Sequence, residues 1–340
     1  MAENMNYQEL IKQAKSQPLV SNIYTADPSA HVFDGKIYIY PSHDIDAGLP
    51  EDDWGGHFGM EDYHVLSLKS PGGKATDHGV ALHVDDVAWA KGQMWAPDAA
   101  YKEGTYYLYF PAKDQNGIFR IGVATSKNPI GPFKAQQEAI QGSFSIDPAV
   151  FVDDDGKAYM YFGGLWGGQL QRWQSGAFID DVKAPNDLEP VDDAPALCAK
   201  VAMLTDDMLE FSEKPKDLVI LDESQQPLLA GDHDRRFFEA AWMHKYKGKY
   251  YFSYSTGDTH YICYGIGDNP YGPFSYKGRV LNPVIGWTNH HSIAEFEGRW
   301  YLFYHDSSLS EGITHLRSVK MAELTYNEDG TINTIDAYSK

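Results

Sequence analysis

The chain has 340 residues, of which 43% are hydrophobic and 22% charged, so its composition is that of a folded globular protein rather than a disordered one. Its 48 acidic side chains outnumber 28 basic ones, and the formal charge of −20 argues against nucleic acid as a partner, because phosphates would be repelled. Aromatic residues reach 14% beside 31 glycines, a combination typical of strands joined by tight turns.

The N-terminal segment carries the longest helical pattern of the chain, over Tyr7–Ser16, and no apolar core flanked by basic residues. No stretch approaches the roughly 18 uninterrupted apolar residues of a membrane span. We therefore expect residues 1–20 to form a partly helical extension of a cytoplasmic protein with no membrane partner. The only cysteines, Cys198 and Cys263, are expected to be free thiols, although one disulfide between them is possible.

One pattern recurs five times along the chain: apolar residues, a short polar stretch with glycine, then alternating aromatic and aliphatic residues. Each copy reads as strand, turn and strand, the signature of a β-hairpin. The turn glycines lie 50 to 92 residues apart, a spacing that suits one propeller blade each, some with insertions. These glycines are Gly35, Gly104, Gly156, Gly248 and Gly298.

The repeats predict an all-β protein, a five-bladed β-propeller that forms a single domain over residues 1–340. A parallel α/β fold is the alternative, but it needs helices of 10–15 residues between strands, which the pattern does not offer. The polar stretch from Gly167 to Arg236 is expected to be mostly loop around a few strands. The phrases NPIGPF at Asn128 and NPYGPF at Asn269 are expected to be turns that enter outer strands.

A titratable residue precedes each turn glycine by six to nine positions: Asp27, Asp98, Asp147, Glu239 and His290. If the first strand of each hairpin is the innermost of its blade, all five side chains project toward the propeller axis. Buried carboxylates are costly unless they are paired, bind metal or carry function. Any one of them alone would more simply be a turn or capping residue, but the shared register predicts a functional site at the axis.

Three of these segments resemble the catalytic segments of glycoside hydrolase family 43, in order and spacing: TADPSAHVFDGKIYIY, SIDPAVFVDDDGKAYMYFGG and FFEAAWMHKYKGKYYFSYS. Trp95–Asp98, Asn289–Ser292 and the C-terminal LRSVKMAELTYNEDGTI are also similar to that family, so the likeness runs from about Ser21 to Ile335. One departure is visible. Glu239 precedes Ala240-Ala241 where the family often has Gly-Pro. This difference weakens the prediction of the substrate more than it weakens the role predicted for Glu239.

The resemblance implies an inverting glycosidase in which Asp27 is the general base and Glu239 the general acid. Asp147 would orient Glu239 and keep it protonated, because a nearby negative charge raises the pKa of a carboxylic acid. Asp98 matches no catalytic position of the family and is expected to be structural. Such members remove β-xylosyl or α-L-arabinofuranosyl units with inversion at the anomeric carbon.

The resemblance further implies that His290 helps to hold a cation, calcium, on the propeller axis. Zinc shared by His290 and His291 is disfavoured, because adjacent strand residues point to opposite faces. Arg317 matches an arginine that hydrogen-bonds sugar hydroxyls, and Trp95 and Trp166 are candidate aromatic walls for sugar rings. The pairs His43-Asp44 and Glu61-Asp62 are expected to follow the first blade and could border the pocket; no role is assigned to them.

The function expected from the resemblance is release of xylose from β-1,4-xylo-oligosaccharides, with α-L-arabinofuranosidase activity as a possible addition. Its partner is therefore a xylo- or arabino-oligosaccharide; the oligomeric state stays open. An endo-acting arabinanase of the same fold is one alternative. A non-catalytic carbohydrate-binding propeller is another, but all three carboxylates are present. Blade signatures of WD or kelch interaction propellers are not found.

Overall fold

The computed structural model describes residues 7–338, which are built almost entirely of strands and loops. Helix α1 occupies Tyr7–Gln13, within the Tyr7–Ser16 segment expected to be helical, whereas residues 1–6 of the expected extension lie outside the described part. Short 3₁₀ helices occur at Val84–Asp86, Trp166–Gly168, Leu170–Trp173 and Gly257–Thr259. Between residues 7 and 338 no helix is long and apolar enough to span a membrane.

The strands of the described chain form five sheets, each a blade of a propeller, which confirms the predicted fold. The first blade contains β1 (Tyr24–Phe33), β2 (Lys36–Asp44), β3 (Asp62–Leu68) and β4 (Thr76–His83). The second contains β5 (Ala90–Gly92), β6 (Asp98–Lys102), β7 (Thr105–Asp114), β8 (Phe119–Ser126) and β9 (Lys134–Ala135). The third contains β10 (Ala149–Val152), β11 (Ala158–Phe162), β12 (Ala199–Met203) and β13 (Lys216–Leu218). The fourth contains β14 (Ile220–Leu221), β15 (Glu239–Tyr246), β16 (Lys249–Ser255), β17 (Ile262–Gly267) and β18 (Phe274–Leu281). The fifth contains β19 (His291–Phe296), β20 (Arg299–Asp306) and β21 (Ser318–Leu324).

The first strand of each predicted hairpin lies on the inner side of its blade. Strands β1, β6, β10, β15 and β19 contact one another in that order, and β19 returns to β1, so they enclose the axis. The ring is closed by the ends of the chain, since the Leu19 N–H donates to the Val319 carbonyl at 2.8 Å and Ala14 forms a bridge with Tyr338. These contacts join the first blade to the fifth.

Four of the five hairpins turn through two residues that both have positive φ, between +47° and +78°. Such turns match the twist of the flanking strands and favour glycine at the second position. They are Asp34-Gly35, Glu103-Gly104, Lys247-Gly248 and Glu297-Gly298. The repeated glycines of the sequence are therefore turn residues, as predicted.

The two looser predictions for the intervening segments are also confirmed. Between Gly167 and Arg236 the chain is mostly irregular, with the short strands β12, β13 and β14 and the 3₁₀ helix Leu170–Trp173. Each NP(I/Y)GPF phrase leads into an outer strand, β9 or β18. Cys198 and Cys263 are both free thiols, as expected.

The hydrophobic core lies between neighbouring blades rather than at the axis. Tyr40 and Tyr63 of the first blade pack with Phe110 of the second, and Ile39 of the first packs with Phe303 of the fifth. Fully burying one such side chain contributes about 1.5–3 kcal/mol, so the blades hold each other in place. The axis is left free for polar side chains.

Asp98 ties three blades together and does not line the cavity at the axis. Its carboxylate accepts hydrogen bonds from the Ser29 hydroxyl and from the backbone N–H of Val150 at 2.5 Å, and contacts His31 Nε2 at 2.6 Å. Ser29 and His31 belong to the first blade and Val150 to the third. The structural role expected of Asp98 agrees with these contacts.

We expect Asp98→Ala to lower the free energy of unfolding by about 3 kcal/mol or more, because it leaves several buried donors without an acceptor. Urea denaturation followed by tryptophan fluorescence measures the change. Asp86→Ala, at an exposed position, is the matched control and should stay within about 0.5 kcal/mol of the parent. Equal stability of the two variants would contradict the conclusion that Asp98 holds the three blades together.

Candidate active site

The inner strands carry local irregularities at the residues that face the axis. In β1 the pairing with β2 shifts between Ala26 and Ser29, and in β15 the pairing with β16 shifts between Glu239 and Trp242. Asp27 at φ +48°, Asp147 at φ +57° and Ala240 at φ +61° all have left-handed backbone. Bulges of this kind redirect side chains and occur beside active sites, and the strained backbone is held by the surrounding blades.

Asp27 is buried at the axis among partners that favour its ionised form. Its Oδ1 lies 3.0 Å from Arg317 Nη1, and its Oδ2 accepts a 2.7 Å hydrogen bond from the Ser42 hydroxyl. Its backbone N–H donates to His305 Nδ1 at 3.0 Å. Burial by itself would raise the pKa of Asp27, but the Arg317 charge, with smaller contributions from His305, His290 and Ser42, lowers it to about 2. Asp27 is therefore a carboxylate at neutral pH.

Arg317 is itself fixed by a second buried carboxylate, Asp44. Its Nε and Nη2 lie 2.8 and 2.7 Å from the two Asp44 oxygens, and its backbone N–H donates to Asp44 Oδ2 at 2.9 Å. The remaining terminal nitrogen, Nη1, reaches Asp27 and, at 3.1 Å, Thr288 Oγ1. The planar fork of arginine matches such bidentate pairing, so Asp44 sets the direction in which Nη1 points.

Asp147 and Glu239 form a close acidic pair across the third and fourth blades. The Asp147 Oδ2 atom accepts the backbone N–H of Ala240 at 2.8 Å, which holds it next to Glu239. Burial, and then the charge of Asp27, raise the pKa of Glu239 to about 8. Burial and the charges of Glu239 and Asp27 also raise the pKa of Asp147. The hydrogen bond from the Ala240 N–H opposes the rise at Asp147 and favours its ionised form, and within the described residues Glu239 has no such donor, so we assign the proton to Glu239.

His290 lies between the two aspartates, with Nδ1 3.6 Å from Asp27 Oδ1 and 3.9 Å from Asp147 Oδ2. Burial lowers its pKa to about 4, so the ring is neutral at physiological pH. Within residues 7–338 neither ring nitrogen of His290 has a hydrogen-bond partner. His291 instead contacts Ser253 Oγ at 2.6 Å in the fourth blade, so the two imidazoles diverge as predicted.

Asp27, Asp147, Glu239, His290 and Arg317 line a cavity of about 800 Å³, a volume that suits a small ligand. Trp95 forms one wall, and its Nε1 donates to the Phe58 carbonyl at 2.8 Å. Trp166 forms another with Phe238 and Trp287, whose ring centroids lie 5.3 and 5.7 Å from its own. Aromatic faces of this kind pack against the apolar faces of sugar rings.

The structure brings every proposed catalytic, sugar-binding and metal-binding residue to this one cavity, while their roles stay predictions. The residues are Asp27, Asp147, Glu239, Arg317, Trp95, Trp166 and His290. The sequence predicts no role for Asp44, His305 or Trp287. It marks Asp44 only as a residue that could border the pocket, and no local signal marks His305 or Trp287.

The arrangement places an ionised carboxylate and a protonated one on the same cavity. The first can accept a proton from water, and the second can donate one to a leaving oxygen. Two carboxyl groups with opposite protonation states are the requirement for acid–base hydrolysis of a glycosidic bond.

Comparison with known proteins agrees with this chemistry. The family model of glycosyl hydrolases family 43 matches residues 16–179 and 196–332. Xylosidase/arabinosidase 43A of Humicola insolens is 63% identical over 321 residues, which cover 93% of this chain and 98% of that protein. A β-xylosidase of Xylanibacter ruminicola is 51% identical over 94% of this chain and 99% of its own length.

A solved structure with a TM-score of 0.94 and 67% identity covers 96% of this chain and 99% of its own. It is a family 43 β-xylosidase/α-arabinofuranosidase from a compost microbial metagenome, in complex with xylotriose and in a calcium-free form. The family match covers most of the chain, and these relatives align with it over nearly their whole length. The chain belongs to glycosyl hydrolases family 43.

Proposed function

We propose that this glycoside hydrolase is an inverting, exo-acting enzyme that releases xylose from β-1,4-xylo-oligosaccharides, with α-L-arabinofuranosidase activity as a second property. The names of the similar proteins support the sugar class. The proposal rests on two carboxyl groups that line one cavity in opposite environments: the Arg317 cation 3.0 Å away lowers the pKa of Asp27 to about 2, whereas burial raises the pKa of Glu239 to about 8.

In the proposed mechanism Asp27 accepts a proton from water as the water oxygen attacks the anomeric carbon. Glu239 donates its proton to the glycosidic oxygen as the bond from that oxygen to the anomeric carbon breaks. The two carboxyl groups then have exchanged protonation states, and proton exchange with solvent resets them. Because water attacks from the face opposite the leaving group, the configuration inverts.

Asp147 and Arg317 act on these two groups rather than on the bond itself. Asp147 keeps a negative charge near Glu239, which favours the protonated acid, and Arg317 offsets the burial of Asp27, which favours the ionised base. Arg317 also lines the cavity, so a direct hydrogen bond to a sugar hydroxyl is part of the proposal. Most of its donors are already engaged by Asp44, Asp27 and Thr288.

Exo action is favoured by the loops that enclose the cavity. A side chain at Gly167 would begin only 2.7 Å from the Trp54 carbonyl oxygen, and one at Gly55 2.7 Å from the Trp95 ring. The first-blade loop therefore touches the third-blade loop, which restricts passage of a long polymer on that side. An endo-acting arabinanase would need an open cleft there.

The cytoplasmic location expected from the sequence stays a prediction.

The residues around His290 fit a hydrated cation. The ring is neutral and has an uncommitted lone pair, and carboxyl oxygens of Asp27 and Asp147 lie 3.6 and 3.9 Å from its Nδ1. We propose calcium, held by His290 and water, because the oxygens of Asp27 and Asp147 nearest to it already have partners. When bound, the ion would supply positive charge that lowers the repulsion between the two aspartates.

The product formed from xylotriose tests the proposed reaction. Proton NMR of the early reaction should show α-xylose appearing with xylobiose, because a β-linked unit is released with inversion. Debranched arabinan and 4-nitrophenyl α-L-arabinofuranoside serve as comparison substrates. Initial release of β-xylose would contradict the role of Asp27 as base, and activity on arabinan alone would favour the endo-acting arabinanase.

The pH dependence of kcat/KM should show an alkaline limb near pH 8, where Glu239 loses its proton. Asp27, with a pKa of about 2, should cause no loss between about pH 4 and 7. Glu239→Gln on an aryl xyloside with a good leaving group is the matched variant, because that group hardly needs protonation. The Glu239→Gln variant should keep measurable activity on this substrate, and its kcat/KM should no longer fall near pH 8. An unchanged fall near pH 8 would show that Glu239 is not the general acid.

Chelation should lower both the melting temperature and the activity, and calcium should restore both, because an ion that binds only the folded state stabilises it. His290→Ala should abolish the response of the melting temperature to calcium. His83→Ala, on the outer strand of the first blade, is the control and should respond like the parent. Unchanged activity and melting temperature after exhaustive chelation would leave His290 with a structural role.

A further inference from the structure

A second group of metal-ligating side chains lies on the first blade, outside the cavity. The pairing of Ser42 in β2 with Tyr63 in β3 places His43 beside Asp62, and His64 follows two residues later on the same face of β3. One ligand atom from each of these three residues can be chosen so that all lie within 4.8 Å of one another. Within residues 7–338 this is the only group with that spacing.

Both histidines of the group keep one ring nitrogen free. His43 uses Nδ1 to contact Asp62 Oδ1 at 2.6 Å, and His64 uses Nδ1 to contact Asp77 Oδ1 at 2.8 Å. Within residues 7–338 neither Nε2 atom has a hydrogen-bond partner. The two rings are 4.4 Å apart between centroids, and their side chains are 18% and 10% exposed, so a solvated ion can reach them.

The Asp77 carboxylate supports His64 in the way that carboxylates support metal-bound histidines. It is fixed in turn by the Gly79 N–H, which donates to Oδ1 at 2.9 Å, and by Asn22 Nδ2, which donates to Oδ2 at 3.2 Å. A carboxylate on Nδ1 fixes the tautomer and leaves Nε2 as the metal ligand. This support extends beyond the three candidate ligands, as in built metal sites.

We propose that His43, Asp62 and His64 bind a zinc ion, with water as the fourth ligand. Two imidazole nitrogens and one carboxylate oxygen suit zinc better than calcium or magnesium, which prefer oxygen. Zinc bonds of about 2.0–2.1 Å place tetrahedral ligand atoms roughly 3.4 Å apart, so ligand atoms that lie up to 4.8 Å apart must approach by up to about 1.4 Å. The His43–Asp62 hydrogen bond is then replaced by bonds from both residues to the ion.

This site is separate from the cavity and from the proposed calcium ion. None of His43, Asp62 and His64 lines the cavity. Zinc would join β2 to β3 at the end of β2, where Asp44 holds Arg317. Its expected effect is on stability, through preferential binding to the folded chain.

Isothermal titration with zinc chloride, with calcium in excess to occupy the proposed site at His290, tests the proposal. The full chain should bind one zinc ion, and its melting temperature, measured by thermal unfolding, should rise. His43→Gln and His64→Gln should each abolish both effects. Asp77→Asn should weaken binding by about 10–100-fold, because it removes the support of His64. His78→Gln is the matched control, since His78 lies on the same blade and contacts Ser67 at 2.8 Å.

Absence of saturable zinc binding to the parent protein would overturn the site, as would binding by His43→Gln and His64→Gln that equals that of the parent. Circular dichroism without metal shows whether each variant is folded. If both variants fail to fold, zinc-edge X-ray absorption of the loaded parent protein decides the question. Two imidazole ligands support the site, and a spectrum without histidine contradicts it.

Discussion

The buried pairing of Arg317 with Asp44 and Asp27 is the interaction on which the site depends. A guanidinium without partners at this depth would be strongly destabilising, and two aspartates without it would not both stay ionised. Asp44 accepts hydrogen bonds from Nε and Nη2 of the guanidinium, and Asp27 accepts one from Nη1. Replacing a buried cluster of charged residues by apolar ones often stabilises a protein, so stability alone does not explain this cluster. We attribute its role to the ionised state that Arg317 gives to Asp27.

The same burial acts in opposite senses on two carboxyl groups of one cavity. Asp27 has a cation at 3.0 Å, which lowers its pKa, whereas burial and the nearby Asp27 charge raise the pKa of Glu239, so that Glu239 keeps its proton. The backbone irregularities in β1 and β15 maintain this arrangement, because the pairing shifts there redirect the chain at the axis. Neither environment would arise from a flat, regular inner strand.

Much of the fold and most of the cavity residues could be predicted from local sequence. The hairpin repeat carries its own turn chemistry, as in Glu103-Gly104, and the shared spacing before each turn identifies the inner position of each blade. The partners of those positions come from distant chain segments and carry no local signal. Asp44 meets Arg317 across 273 residues and His305 meets Asp27 across 278, so only the closed ring brings them together.

The cluster of His43, Asp62 and His64 has the same origin. His43 lies near the end of the first hairpin, and Asp62 and His64 lie in the next strand, without any metal-binding spacing, so only the register of β2 with β3 makes them neighbours. Asp98 is the converse case: it shares the register of the catalytic candidates, but its carboxylate faces Ser29 and Val150 rather than the cavity. Register therefore identified candidates, and side-chain packing decided which of them reach the substrate space.

The central claim is that Asp27 and Glu239 differ in protonation before substrate binds. Neutron diffraction from crystals grown in D₂O near pH 6 measures this directly, since deuterium on a carboxyl oxygen is visible. We expect a deuteron on Glu239 and none on Asp27, with Arg317 fully deuterated between Asp27 and Asp44. A deuteron on Asp27, or an unprotonated Glu239, would contradict it.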